Sequence, residues 1–432
     1  MNNNIQKIKI LLNILETNNI LHSVNTFESL FYDEPKIFGY YSIIKHPLLR
    51  LKQMGYLTHA KNVVCSGSSY TSRKLALLKC LSEVAERVSL YSYLPNKINK
   101  ASYVKLTKQN KRALNPQVYL KKKEIINYEF GWVKGINLLN NQLTYLPAQL
   151  IYLNYQAINK EPKLSSIISN GAAGSFSQKG ALLNGILEII ERDASMGVFL
   201  NKISVPHINL SKIDDIVLNK VINYFKNYYL DILILETTND LAIPTYVSIL
   251  YDHTLVKPTI AVGSKSSFNI TSAIQGSIEE AFITRIFARL NYFKTTLNQQ
   301  NSQQKNSNNP LVQRMLIWNN NRMLKSIDFL VKSSSPKKDV VNSKKIPINT
   351  QYNKLISIFK KKKLSLYAVN ISLPFYQKIN YYVYKVLSPD LQPFYLELSS
   401  NNQYHNLDRL KMIATHFNKS NFSINKAIHP FI

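Results

Sequence analysis

The sequence predicts a mixed α+β (α/β) fold made of pseudo-repeated strand–turn–helix units. Three observations predict it. The chain has 432 residues, 45% apolar and 18% charged, enough to bury a sizeable core without disulfides. Three segments, opening near Gly67, Gly171 and Gly263, repeat one template in which short β-type residues lead through a turn into a helix. Later in the chain, alternating apolar segments read as strands before a closing helix. The same composition excludes disordered, collagen-like and disulfide-scaffold proteins.

At roughly 150 residues per domain, the length allows two or three domains or one large one. We read a lead-in over residues 1–60 and one body over 61–432. The lead-in holds a helix from about Ile5 to Leu15. The first unit runs Ser66-Gly67 through Ala76 and Lys79 to Glu83, Glu86 and Arg87. The second runs Asn170-Gly171 through Ala181 to Glu188, Glu191, Arg192 and Asp193. The third runs Val262-Gly263 through Ala273 to Glu279, Glu280 and Arg285. In each, an Ala follows the Gly by nine or ten residues, and a Glu follows that Ala by seven. The Gly comes after Val63-Val64, Ile167-Ile168 and Ile260-Ala261-Val262, and Ser, Thr and Gly supply turn and N-cap chemistry. Thr245 to Tyr251 and Thr259 to Val262 read as a hairpin feeding the third unit. Polar stretches at 297–310 and 333–345 read as exposed loops around a helix from Val312 to Leu330. Ser365 to Ile371 and Tyr381 to Leu387 read as strands, Leu407 to His416 as a helix, and Asn425 to Ile432 as a tail.

Lys and Arg number 54 against 25 Asp and Glu, a formal charge of +29. Only 10 of the basic residues are Arg, the residue that reads bases and clamps phosphate bidentately. The Lys are scattered, and the runs Lys121 to Lys123 and Lys360 to Lys363 read as solvated faces. We therefore expect no nucleic-acid partner, although the surface should attract acidic peptides at low salt. No apolar run approaches the roughly 18 residues of a membrane span. There is no signal-peptide pattern, and Cys65 and Cys80 form neither a metal spacing nor a disulfide framework. A soluble protein of the reducing cytoplasm, without a membrane partner, is the expectation.

Where acids are scarce, clustered acids are informative. The first two units both carry Glu-x-x-Glu-Arg, as Glu83, Glu86, Arg87 and as Glu188, Glu191, Arg192. Positions i and i+3 share a helix face, where like charges repel. Leu81, Val84 and Ala85, and Ile186, Ile189 and Ile190, surround these acids with apolar residues. A partly buried carboxylate pair needs a compensating cation. Two such pairs suit magnesium, a hard ion that favours carboxylate and phosphate oxygen. Arg87, Arg192 and Arg285 can meet phosphate oxygens or brace the carboxylates. The sequence contains no Walker A loop, dinucleotide fingerprint, His-Glu-x-x-His or Gly-x-Ser-x-Gly. The eight histidines show no ligand spacing.

In this order the motifs resemble the YcaO family of ATP-dependent peptide-backbone-modifying enzymes. The matching stretches are Lys79 to Arg87, Glu188 to Asp193 and Glu280 to Arg285. Ser388-Pro389-Asp390-Leu391-Gln392-Pro393 is similar to the family's Pro-Gly-Leu-Gln-Pro segment, and the tail Asn425 to Ile432 to its Asn…Pro-His-Pro ending. The resemblance covers about residues 60–432. It implies α/β units around one nucleotide site holding ATP and Mg2+. It implies activation of a backbone amide of a ribosomally made precursor peptide by phosphorylation of the amide oxygen. Attack by Cys, Ser or Thr and loss of phosphate then give an azoline, as in bacteriocin-like pathways. It implies Glu83, Glu86, Glu188 and Glu191 as metal and phosphate-site acids, with Lys79, Arg192, Glu280 and Arg285 also at the nucleotide. It implies a catalytic contribution from the tail at His429 and Pro430, and a separate leader-peptide-binding, ThiF-like (E1-like) partner. A homodimer is compatible with this reading.

Three positions depart from the family pattern. Lys79 replaces a Ser, Ile283 replaces a Gln, and Ser68-Ser69-Tyr70 replaces a Gly-Lys-Gly turn. Lys79 would restore the lost positive charge. Thioamide formation and a non-catalytic, peptide- or partner-binding homologue are the alternatives.

Overall fold

The computed structural model describes residues 2–431 except 29, 62, 159, 167, 256, 301–308, 334, 341–344 and 399–404. The chain divides into two compact units. The first comprises Met1–Leu30, Phe38–Ile189 and Pro347–Leu391, and the second Phe31–Ile37, Ile190–Ile346 and Gln392–Ile432. Both mix helices and antiparallel sheets, the α+β class that the repeats predict.

In the first unit the lead-in is built into the fold. Its strands Leu21–Thr26 and Phe38–Ile44 form an antiparallel sheet with Val64–Ser69, the strand that opens the first repeat. The expected early helix extends over Asn2–Thr17. Leu11, Leu15, Leu81, Val84 and Val88 share one buried cluster, so this helix helps cover the first acidic helix. A second sheet orders Asn99–Ser102, Glu129–Asn137, Tyr367–Asn370, Tyr382–Leu387 and Ala172–Ser175, with Gln142–Pro147 also paired to Glu129–Asn137.

In the second unit Leu230–Glu236, Thr245–Asp252 and Ile260–Ser266 form an antiparallel sheet. The expected hairpin is present in that register, and Ile260–Ser266 leads into the helix Ile270–Gln300. The closing helix is Leu407–His416.

Two expectations are corrected. In the second repeat the strand follows the glycine instead of preceding it. Gly171 has φ +77°, a turn conformation, and its carbonyl accepts from Val386 N at 2.7 Å. The residues after it, Ala172–Ser175, then pair antiparallel with Tyr382–Lys385. The single helix expected over 312–330 is three pieces: Pro310–Trp318, a 3-10 segment Asn321–Ile327, and Asp328–Val331. Asn320 ends the first piece by starting the next, its side chain accepting from Arg322 N. Of the two polar stretches, residues 301–308, 334 and 341–344 lie outside the described residues. Lys121 to Lys123 and Lys360 to Lys363 are exposed, as solvated faces should be. Among the described residues no helix is long and apolar enough to cross a membrane.

Candidate functional site

The first two repeats place their carboxylates by the same local device. The strand Val64–Ser69 crosses the helix Arg73–Leu90 so closely that a Cβ at Gly67 would lie 2.3 Å from Cys80 N and 2.4 Å from Ala76 O. Only glycine permits this approach. Ser72 caps the helix, its side chain accepting from Leu75 N. One and a half turns past the crossing, Glu83 accepts from Ser66 N at 2.7 Å. In the second repeat Glu188 accepts from Gly171 N at 3.1 Å. Both bonds span 17 residues, so the repeat seen in sequence is a repeat of geometry.

These acids are crowded in the first unit. Arg87 donates to Glu83 Oε1 at 3.0 and 3.2 Å, bracing it along the helix. Glu86 accepts from Gly174 N at 2.7 Å. Burial pushes the Glu86 carboxyl up to about 8. The Gly174 N–H opposes this, and the charges of Glu83 and Glu188 add to it. A carboxylate held up by burial and two like charges marks a locus of surplus negative potential. Among the described residues no three His, Cys, Asp or Glu side chains already converge as a metal cage. The donor chemistry nevertheless fits a hard divalent cation: Glu83, Glu86 and Glu188 offer oxygen alone and each accepts from a backbone N–H, with Arg87 also paired to Glu83.

Lys385 was not foreseen. It lies in Tyr382–Leu387, is 3% exposed, and donates through Nζ to the carbonyls of Ile168, at 2.8 Å, and Asn170. Burial pulls its ammonium down to about 7, against the opposing pull of Glu188. The bonds tie down the turn whose Gly171 N–H holds Glu188. The available signal was one basic residue inside an otherwise apolar and aromatic strand. Lys79, by contrast, is exposed and donates to Ser68 O at 2.9 Å.

The second unit holds the other expected residues. The helix Gln178–Leu200 runs through both units and carries Glu188 in the first and Glu191 in the second. Glu191 is 1% exposed, accepting from Ser264 Oγ at 2.8 Å and Ser266 N at 3.3 Å. Lys265 Nζ lies 3.8 Å from Glu191 and 3.2 Å from Glu280. Arg192 Nε lies 3.6 Å from Glu191. Arg285 is buried, and it braces carboxylates from outside the three repeats. It donates to Glu34 at 2.8 and 2.9 Å, to Asp252 at 2.6 Å and to the Pro258 carbonyl at 2.7 Å. Arg289 joins it on Glu34 at 2.6 Å. Asp193 is fully buried, accepting from Arg409, Asn239 Nδ2 and Gln392 N.

His429 and Pro430 are buried in the second unit. His429 Nε2 is 2.5 Å from Arg314 Nη1 and 2.9 Å from Tyr395 O. Burial, with Arg314 beside it, holds the imidazole well below its ordinary titration range, so it is neutral. Cys65 and Cys80 are buried free thiols whose pKa is raised chiefly by burial, as inert thiols should be.

Residues 67–392 match the family model described as YcaO cyclodehydratase, ATP- and Mg2+-binding. A solved heterocyclase in complex with substrate and cofactor superposes with a TM-score of 0.74 at 16% identity, over 98% of this chain and 57% of that one. The YcaO protein of Methanopyrus kandleri bound with AMPPCP and Mg2+ gives 0.62 at 12% identity, over 93% and 94%. The E. coli microcin synthetase McbBCD complex gives 0.60 at 15%, over 90% and 94%. A curated relative, an uncharacterized protein in the tfuA 3' region of Rhizobium leguminosarum bv. trifolii, is 23% identical over 130 residues, 29% of this chain and 30% of that protein. The chain thus spans little more than half of the heterocyclase and under a third of the curated relative. At these identities the solved structures establish a common fold.

Proposed function

The chain belongs to the YcaO family, and from that premise we propose that it is an ATP-dependent cyclodehydratase subunit acting on a ribosomally made precursor peptide in a bacteriocin-like pathway. The observation that carries the proposal is the matching anchorage of Glu83 and Glu188, each accepting the backbone N–H 17 residues before it, with Glu86 pushed up to about 8 by burial and by the charges of both. Such surplus negative potential suits a divalent cation that is itself bound to phosphate oxygens. Glu191, one turn beyond Glu188, is proposed as a further acid of the same kind, and Arg192 as the phosphate-facing guanidinium. Lys79, Glu280 and Arg285 are proposed to support the nucleotide more remotely, Arg285 by keeping the Ile270–Gln300 helix fixed to Glu34 and Asp252.

In the proposed reaction the γ-phosphoryl group of ATP passes to the oxygen of a peptide amide, releasing ADP. A Cys, Ser or Thr side chain bonds to the amide carbon and gives up its proton. Phosphate then leaves with the former amide oxygen, the nitrogen gives up its proton, and the azoline C=N bond forms. Magnesium, when bound, neutralises charge on the transferring phosphoryl group. Glu83, held by the Ser66 N–H of a strand, and Glu188, held by the Gly171 N–H of a turn, would hold that ion. Arg87 keeps Glu83 from rotating away. The tail at His429 and Pro430 is proposed to assist the dehydration through its docked backbone, since the His429 ring is enclosed. A separate, ThiF-like partner that captures the leader peptide completes the proposal, with the reaction in the cytoplasm.

The test is mass spectrometry of a precursor peptide encoded beside the gene, incubated with the protein, its partner, Mg2+ and ATP. Loss of one water per ADP released supports ring formation. Replacement of oxygen by sulfur, given a sulfide donor, would move the reading to thioamide formation. An unmodified peptide, with ATP unconsumed, would favour a binding role.

A further inference from the structure

In the second unit, several buried contacts converge on Arg192. Its guanidinium lies over the ring of Phe394, 5.2 Å from the centroid, and its side chain is only 16% exposed. The same ring is held on further sides. His429 packs against it at 4.9 Å, and the Arg314 guanidinium lies 6.0 Å from its centroid. Arg314 is fully buried, donating to His429 Nε2, to His429 O at 3.1 Å and to Tyr395 O at 3.3 Å. Trp318 Nε1 donates to His429 O as well, at 3.1 Å.

Both ends of this arrangement are tied to the helix that carries Arg192. Asp193, the next residue, accepts from Gln392 N at 2.8 Å, two positions before Phe394. At the helix end, Leu200 O accepts from Asn425 N at 2.7 Å, and Phe199 O accepts from the Asn425 side chain. The segment 392–395 and the tail 425–431 therefore form a wall built against the Arg192 side chain. An arginine free in solvent loses several rotatable bonds when it captures an anion. One laid on an aromatic ring before the anion arrives loses fewer.

We propose that Phe394 is a positioning residue for Arg192, and that the C-terminal tail, through His429 and Arg314, holds Phe394 against it. This rests on the reading above that Arg192 meets nucleotide phosphate. It gives the tail a role at the second unit that needs no contact between the His429 ring and substrate.

The experiment is a double-mutant cycle on the full chain, with Mg2+-AMPPCP affinity read by calorimetry and folding checked by thermal melting. Phe394→Leu should weaken binding about five-fold, the size of a partly desolvated cation–π contact. Phe394→Tyr, which keeps the ring, should stay within about two-fold. In an Arg192→Met background Phe394→Leu should add nothing, because the group it positions is gone. His429→Gln should weaken binding in the same direction only where Arg192 is present. Equal losses in both backgrounds, or none in either, would overturn the proposal while leaving the nucleotide site intact. Absence of binding by folded wild type would overturn the phosphate reading and this proposal together.

Discussion

Burial pushes the Glu86 carboxyl well above the ordinary glutamate range, and the charges of Glu83 and Glu188 add to the rise. Its folded pKa, about 8, lies above the ordinary 4.5. Its stabilising contribution is therefore complete below about pH 4.5 and is lost as pH rises through about 8. Without metal, Glu86→Gln should raise the melting temperature relative to wild type at pH 8.5 and change it little at pH 5. Melting curves across that range check this, and parallel profiles would contradict it. On the proposed reading Mg2+ competes with that proton, so it should stabilise wild type more at pH 8.5 than at pH 6. His429 behaves oppositely. Its folded pKa is depressed below 6.5, so its contribution is present above that pH and lost as pH falls beneath it. Arg314 and Arg192 both disfavour the imidazolium. Protection factors against deuterium exchange at residues 425–431 should therefore fall below pH 6.5, and unchanged protection at pH 5 would count against the docked tail.

Among the elements, the strand–helix crossing at Gly67 sets where Glu83 stands. An added methyl would meet backbone atoms of Ala76 and Cys80, which cannot swing aside. Gly67→Ala should cost about 1–3 kcal/mol in urea unfolding and weaken metal binding with it. The acid spacing was legible in sequence because it is local: i and i+3 on a helix, and 16 or 17 residues from each glycine. Lys385 was not, because it reaches Glu188's turn only through the pairing of Tyr382–Lys385 with Ala172–Ser175, some 210 residues away in the chain. The break in the 312–330 helix was hidden too. The apolar period continues through Asn319 to Asn321, while the capping amide of Asn320 decides the local structure.

Over the whole molecule, long-range ion pairs determine which elements belong together. Glu34 meets Arg285 across 251 positions in sequence and so fastens residues 31–37 into the second unit. Spacing alone left Arg285 either meeting phosphate or bracing acids; the fold supplies the acids, Glu34 and Asp252, from elsewhere. Arg285→Met leaves two buried carboxylates without this partner and should destabilise by about 3–5 kcal/mol. The repeats, the family and the acid pairs could be read from sequence, whereas the two-unit partition and the enclosed state of His429 required the fold. The central claim is that the carboxylates of the first two repeats hold magnesium-bound nucleotide. Calorimetry of Mg2+-ATP with wild type, Glu83→Gln and Glu188→Gln tests it most directly. The account predicts saturable binding by wild type that both folded variants lose. Wild-type affinity retained in both variants would contradict it.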